Sequence, residues 1–373
     1  VNLIIGKYYS NGKYACAASA FGPRIRHWTK IEMIRQPYLL FLGDVEDRSF
    51  AKTAFGLRDW CPEAVVGQCR LVGCSIDLGL AEMRPAEAVG AGAGSLLIGV
   101  ASAGGQIPPN WIPSLVEALE AGLDIVSGMH TRLRDLPEVR AAADRMGRRL
   151  HDVRHADRAF PIATGRKRSG LRVLTVGTDC ALGKKYTSLA VARGLSERGL
   201  SADFRATGQT GVMIAGDGLA IDAVVSDFLA GAVETLSPAA APDHWDVIEG
   251  QGSLFHPSYA AVTVGLIHGS QPDALILCHD PCRTHIAMHS DYAIPPLTDA
   301  IAQYLMIARL TNPMAKFVGV SLNTSELSSE AALEAIATTR EMTGLGSTDP
   351  IRFGVAPLVD SLIALTPKFE AAE

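Results

Sequence analysis

Residues 173–187 read VLTVGTDCALGKKYT, and they constrain the fold more than any other stretch. Val173, Leu174, Thr175 and Val176 form a short strand-like run that leads into a loop over residues 177–183. Lys184 then opens a helical pattern. A buried strand that empties through glycines into a helix N-terminus gathers backbone N–H groups and the positive end of the helix dipole. That is an anion site, and Lys184 adds a full charge where phosphates would lie. The spacing runs one residue longer than G-x-x-x-x-G-K-[ST], and Lys185 stands where a hydroxyl usually helps hold Mg²⁺. Thr187 offers a hydroxyl two residues late.

A motif of this kind belongs in an open α/β sheet, so strands and helices should alternate on both sides of it. Upstream, strands are expected at 38–42, 64–69, 95–100 and 124–127, with helices at 49–60, 85–92 and 111–121. Residues 36–130 thus read as a small Rossmann-like parallel-sheet domain. No G-x-G-x-x-G follows its first strand, which argues against a dinucleotide site there. Ala103, Gly104 and Gly105 read either as a connection or as a ligand-facing loop.

Residues 130–172 carry twelve Lys/Arg against five Asp/Glu, and 131–170 read as a helix over 133–153 followed by a linker over 161–170. The charge suits a solvated face, or Arg166, Lys167 or Arg168 leaning over the phosphate loop. Residues 171–373 read as a doubly wound P-loop NTPase-like domain. Its later strands are expected at 202–206, 245–249, 274–278, 316–322 and 351–355. Its helices are expected at 184–198, 218–229, 259–268, 298–310 and, capped by Ser328, 328–343.

Composition narrows the partners. A chain of 373 residues with net charge −5 gives no reason to expect nucleic acid or an anionic membrane. The uncharged run 88–116 is broken by glycines and prolines before it reaches the roughly 20 apolar residues of a span. Seven scattered cysteines without a secretory signal read as reduced thiols and a cytoplasmic protein. Residues 1–35 read as an extension without function.

Three strand-end loops carry chemistry. Thr207-Gly208-Gln209-Thr210-Gly211 can offer backbone N–H groups and the Gln209 amide to a ligand, or be a turn. Glu249, followed by Gly250, Gln251, Gly252 and Ser253, sits where a carboxylate would hold a metal water or act as a base. Cys278, Cys282, His285 and His289 resemble a zinc set, but the gap between ligand pairs is missing, so no metal is expected. Arg283 in that loop suits a carboxylate or phosphate. Asp222 and Asp227, five apart on an expected helix, do not share one face.

Together GTDCALGKKYTS, ATGQTGVMIAGDG, DAVVSDFLAGAVE, VIEGQGSLFHPSY and PDALILCHDPCR resemble the D-glutamate N-acetyltransferase family. That family joins a Rossmann-like domain to a P-loop domain. PYLLFLGD, VGQCRLVGCSIDLGL and WIPSLVEALEAGLDIVSGMH extend the resemblance through the first domain. The phosphate loop and VIEGQGS also resemble dethiobiotin synthetase, where a threonine follows the loop lysine.

The resemblance implies acetyl-CoA as donor, a D-amino acid (chiefly D-glutamate) as acceptor, and a homo-oligomer. Gly177, Thr178, Asp179, Gly183, Lys184, Lys185 and Thr187 would then hold the CoA diphosphate. Glu249 would be the base, with Gln209, Thr210 and Gln251 orienting the reactants. Arg283 would receive an acceptor carboxylate, and His256 or His279 would relay protons. An ATP/Mg²⁺-dependent ligase or kinase, and a non-catalytic nucleotide-binding switch, are the alternatives.

Overall fold

The computed structural model describes residues 34–100, 105–155 and 159–367. The expected extension therefore lies almost wholly outside the described residues, as do Ala103 and Gly104. The first domain runs β1 (Tyr38–Gly43), α1 (Lys52–Trp60), β2 (Val65–Arg70), α2 (Pro85–Gly90), β3 (Ser95–Ile98), α3 (Ile112–Ala121), β4 (Asp124–Ser127), α4 (Pro137–Met146) and β5 (Leu150–Asp152). Its strands form a parallel sheet in the order β2-β1-β3-β4-β5. β1 is buried along its whole length, as a strand covered on both faces must be.

The stretch 133–153 is not one helix. A 3-10 turn, α4 and β5 replace it, and β5 pairs with β4 as an edge strand. Gly147, at φ 60°, ends α4 in the left-handed conformation that glycine adopts without strain.

The second domain runs β6 (Leu171–Gly177), α5 (Lys184–Glu197), β7 (Ala202–Arg205), α6 (Gln209–Ala215), α7 (Ser226–Leu236), β8 (Trp245–Ile248), α8 (Ala260–Ser270) and β9 (Ala274–His279). It continues through β10 (His285–Ile286), β11 (His289–Ala293), α9 (Leu297–Ala308), β12 (Lys316–Leu322), α10 (Ser329–Thr343), β13 (Ser347–Thr348) and α11 (Ala356–Ile363). Six parallel strands take the order β13-β12-β9-β6-β8-β7, so β6 lies at the centre and its carboxyl end opens between β8 and β9. Ser328 caps α10 as expected, its hydroxyl accepting from Ala331 N at 3.2 Å.

Three expectations in this domain change. The last strand is β13, and residues 351–355 form a turn. Residues 218–229 contain a 3-10 turn (Ile221–Ala223) and then the start of α7, so Asp222 and Asp227 belong to different elements. The basic linker also runs away from the phosphate loop. Lys167 Nζ lies 2.8 Å from Asp273 Oδ1, beside the amino end of β9, and Arg168 donates to the carbonyls of Ser237 and Gly269. Arg172 is 1 % exposed and shares its guanidinium between Ser237 Oγ and the Pro238 carbonyl, at 2.8 and 2.9 Å. Buried guanidinium groups are tolerated only when so satisfied, and here the surplus charge ties the linker to the sheet.

Candidate active site

The carboxyl ends of the two sheets meet. Ala54 N, in the first turn of α1, donates to the Gly99 carbonyl at 2.8 Å, which holds the start of α1 over the end of β3. The Thr53 and Thr210 hydroxyls share a hydrogen bond of 2.8 Å across the domain seam. Gln209 abuts Gly128, just past β4; a Cβ there would lie 2.0 Å from the Gln209 Oε1. Gln209 and Thr210, expected in a ligand-facing loop or a turn, instead open α6 and join the domains. Trp60 stacks on Tyr186, with ring centroids 5.9 Å apart, and extends the seam.

The phosphate loop follows β6. Its Gly177 carbonyl accepts from Ser253 Oγ at 2.8 Å and from the Tyr304 hydroxyl at 2.7 Å. Thr178 N donates to the Cys278 carbonyl at 3.1 Å, fixing the loop to β9. Gly183 closes the loop at φ 96°, a left-handed turn that admits glycine readily. Lys184 is 7 % exposed, and its Nζ donates to the Asp179 carbonyl at 2.8 Å. Among the described residues it has no other hydrogen bond and no carboxylate partner. Burial pulls its pKa below the ordinary lysine value. An ammonium so placed has donors to spare for an anion.

Asp179 is committed. Its Oδ1 accepts from Cys180 N at 2.6 Å, and its Oδ2 from Arg283 Nη1 at 2.7 Å and Ala287 N at 2.8 Å. Arg283 also donates to the Cys180 carbonyl at 2.7 Å. The arginine expected to receive an acceptor carboxylate thus braces the phosphate loop. Asp179, Cys180 and His256 bring possible metal-ligating atoms within 4.8 Å of one another. Arg283 already supplies the cation that Asp179 faces, so the donor set fits a metal poorly.

The histidines differ in state. His256 Nδ1 accepts from Ser258 N at 3.2 Å, which fixes the proton on Nε2; that atom is buried and, among the described residues, has no hydrogen-bond partner. His279 Nδ1 meets Thr178 Oγ1 at 3.0 Å, and burial, helped by Arg283, brings its pKa down to about 4. A histidine whose folded pKa lies below the unfolded value near 6.5 makes stability fall as pH drops through that window. His279→Asn should therefore lose less of its melting temperature between pH 7 and pH 5 than the wild type does. An equal loss in both proteins would contradict the assignment.

Glu249 is 3 % exposed just beyond β8. Its Oε2 accepts from Thr207 N at 3.0 Å and Gly208 N at 3.1 Å, under the start of α6. Burial raises its pKa, while Lys185 and those N–H groups pull it back. Gln251 Nε2 reaches Thr207 Oγ1 at 3.3 Å, beside the same loop. Gly250 fits this corner because any Cβ would lie 1.7 Å from the Thr175 carbonyl.

Two members of the expected phosphate set are placed elsewhere. Lys185 turns to the first domain, with Nζ 3.1 Å from where a Gly56 Cβ would stand and 4.7 Å from the Tyr186 ring centroid. Burial brings its pKa down to about 8, with Glu249 opposing the fall. Thr187 faces the sheet, its hydroxyl 2.8 Å from Ser321 Oγ and 3.2 Å from the Gly183 carbonyl. The late hydroxyl is therefore spent inside the fold.

The first domain also supplies charges that the sequence reading missed. Lys52 opens α1, and its pKa is lowered by burial and then by Arg283, although the side chain keeps a solvent-exposed surface. Asp59, on the same helix, lies in the field of Lys185. The available signal was Lys52-Thr53 after a strand and a glycine, an echo of the phosphate loop itself.

The fold and site define a class: a two-domain α/β protein with a phosphate loop under a Rossmann-like domain. The family profile described as a DUF1611_C P-loop domain, of unknown function, matches residues 161–359, and the DUF1611_N Rossmann-like domain matches residues 69–156. The chain belongs to the DUF1611 family. It is 51% identical over 333 residues to a D-glutamate N-acetyltransferase of Tritonibacter scottomollicae, covering 89% of this chain and 100% of that one. It is 44% identical to a D-glutamate N-acetyltransferase of a Pseudoalteromonas species, covering 88% and 99%. A crystal structure of a DUF1611 family protein from Anabaena variabilis matches with TM-score 0.80 and 36% identity, covering 88% of this chain and 99% of that chain.

Proposed function

We propose that this protein transfers the acetyl group of acetyl-CoA to the amino group of D-glutamate. One observation carries the donor side: Lys184 is a buried cation at a phosphate loop with a carbonyl but no carboxylate for a partner. A diphosphate supplies the missing anion, and the start of α5 and Gly183 accommodate it. The N–H groups of Gly177 and Thr178 are spent on the Tyr304 hydroxyl and the Cys278 carbonyl, so the cradle falls to Lys184 and the start of α5. The position of Thr187 supports a diphosphate held without the usual Mg²⁺ hydroxyl.

On the acceptor side, Glu249 takes a proton from the ammonium group, a task its raised pKa suits. The neutral amine then attacks the thioester carbon. The C–N bond forms, the C–S bond breaks, and the second amine proton ends on the CoA sulfur. His256, its Nε2–H fixed by Ser258, serves as a hydrogen-bond donor in place of the expected relay, and Gln251 holds the Thr207 loop around Glu249. His279, neutral at pH 7, orients Thr178.

The cytoplasm is the proposed compartment. Cys61, Cys69, Cys74, Cys180, Cys278 and Cys282 are all free, and among the described residues no helix is long and apolar enough to cross a membrane. Self-association is supported by Met306, Leu310 and Met314, which stand 64%, 70% and 80% exposed.

S-acetylpantetheine, which keeps the thioester and lacks the diphosphate, tests the donor assignment. Its kcat/KM with D-glutamate should fall roughly a thousandfold below that of acetyl-CoA, because remote binding energy is lost. Equal efficiency would contradict a diphosphate anchor.

A further inference from the structure

A diphosphate carries a negative charge on each phosphate, and the second domain leaves only Lys184 beside the loop to meet them. Arg283 is paired with Asp179 at 2.7 Å. Lys185 turns to Gly56 and lies in the field of Glu249. Lys167 and Arg168 are held near the amino end of β9, away from the loop. A second cation has to come from the first domain.

The packing of α1 shows where it comes from. Trp60 stacks on Tyr186, with ring centroids 5.9 Å apart, and Lys185 Nζ lies 3.1 Å from where a Gly56 Cβ would stand. One face of α1 therefore runs along the start of α5. Positions 52, 56 and 60 are spaced four apart and share that face, and helical side chains tilt towards the helix N-terminus. The step from Trp60 to Gly56 moves back along α5 from Tyr186 to Lys185. The next step, to Lys52, leads off the end of α5 and onto the phosphate loop. The charges agree with this placement, for Lys52 acts on the Cys180 thiol within the loop and Arg283 acts on Lys52.

Lys52 is exposed and has no hydrogen-bond or ion-pair partner among the described residues, although it lies in the field of Asp47. The next residue, Thr53, shares its hydroxyl hydrogen bond with Thr210 at 2.8 Å, which fixes the start of α1 against the second domain. A lysine so placed keeps its ammonium donors for an anion, and a compact charge on a flexible stem suits phosphate oxygens.

We propose that Lys52 is the second cation of the donor site and binds the diphosphate of acetyl-CoA opposite Lys184, so that the anion is held between the two domains. The inference rests on the acetyl-transfer reading, which supplies the diphosphate.

Calorimetric titration with CoA and with dephospho-CoA, which keeps the diphosphate and lacks the 3′-phosphate, tests it on the wild type, Lys52→Ala and Lys52→Arg. Lys52→Ala should weaken both ligands equally, by roughly tenfold to a hundredfold, the range for a hydrogen bond to a charged group. Its melting temperature should match the wild type, because the truncation removes no side-chain hydrogen bond. Lys52→Arg should recover most of the loss, since it keeps the charge. Unchanged CoA affinity in Lys52→Ala would overturn the assignment and leave the acetyl-transfer reading standing. A loss with CoA that vanished with dephospho-CoA would also overturn it, by moving the lysine to the 3′-phosphate. A wild-type protein that bound neither ligand would overturn both the assignment and the reading.

Discussion

Lys184→Ala should lower the affinity for acetyl-CoA by roughly a hundredfold, read by calorimetry on protein of unchanged melting temperature. Lys184 is 7 % exposed with the Asp179 carbonyl as partner, so its ammonium form bears a desolvation cost before any ligand arrives. An anion that enters repays this cost, and hydrogen bonds between charged groups contribute about 1.5–3 kcal/mol each. One such contact near the top of that range gives the stated loss. The alanine variant should fold, because removing a buried cation that has one neutral partner leaves only the Asp179 carbonyl to find another donor. Wild-type affinity in this variant would remove the lysine from the donor site.

Glu249→Gln should reduce turnover by roughly a hundredfold to ten-thousandfold, the range for a lost general base. The CoA dissociation constant should change little, because Glu249 lies beyond β8 and the diphosphate cradle follows β6. The substitution has a structural cost as well. The carboxylate Oε2 serves two backbone N–H groups, at 3.0 and 3.1 Å, and an amide oxygen must replace it there without charge. Lys185 also loses its nearby anion, which shifts its pKa further down from about 8. A melting curve separates these effects: a stable variant with normal CoA binding and full activity would take Glu249 out of the chemistry.

The architecture was legible because its signals are local. A buried parallel strand such as β1 is a continuous apolar run, and residues 177–184 announce both the loop and the helix that follows β6. The fate of particular side chains was not legible, because it depends on what packs across the seam. Nothing near Lys185 in sequence says that Gly56 leaves room for its amino group, or that Ser321 will take the Thr187 hydroxyl. Arg283 looked available because its partner Asp179 stands about a hundred residues upstream. The glycine-rich run 207–211 read as a loop, while the Glu249 carboxylate beneath it stabilises the start of α6 by accepting from the N–H groups of Thr207 and Gly208. Short strands were lost for a similar reason. β5 and β13, of three and two residues, carry no period long enough to see and exist through their neighbours.

Free-thiol release from acetyl-CoA, followed in chelator and without ATP, tests the central claim most directly. With D-glutamate as acceptor, the account predicts one equivalent of thiol for each N-acetyl-D-glutamate formed, and far slower release with L-glutamate. Thiol release that ignores the acceptor, or product formation that requires ATP and Mg²⁺, would contradict it.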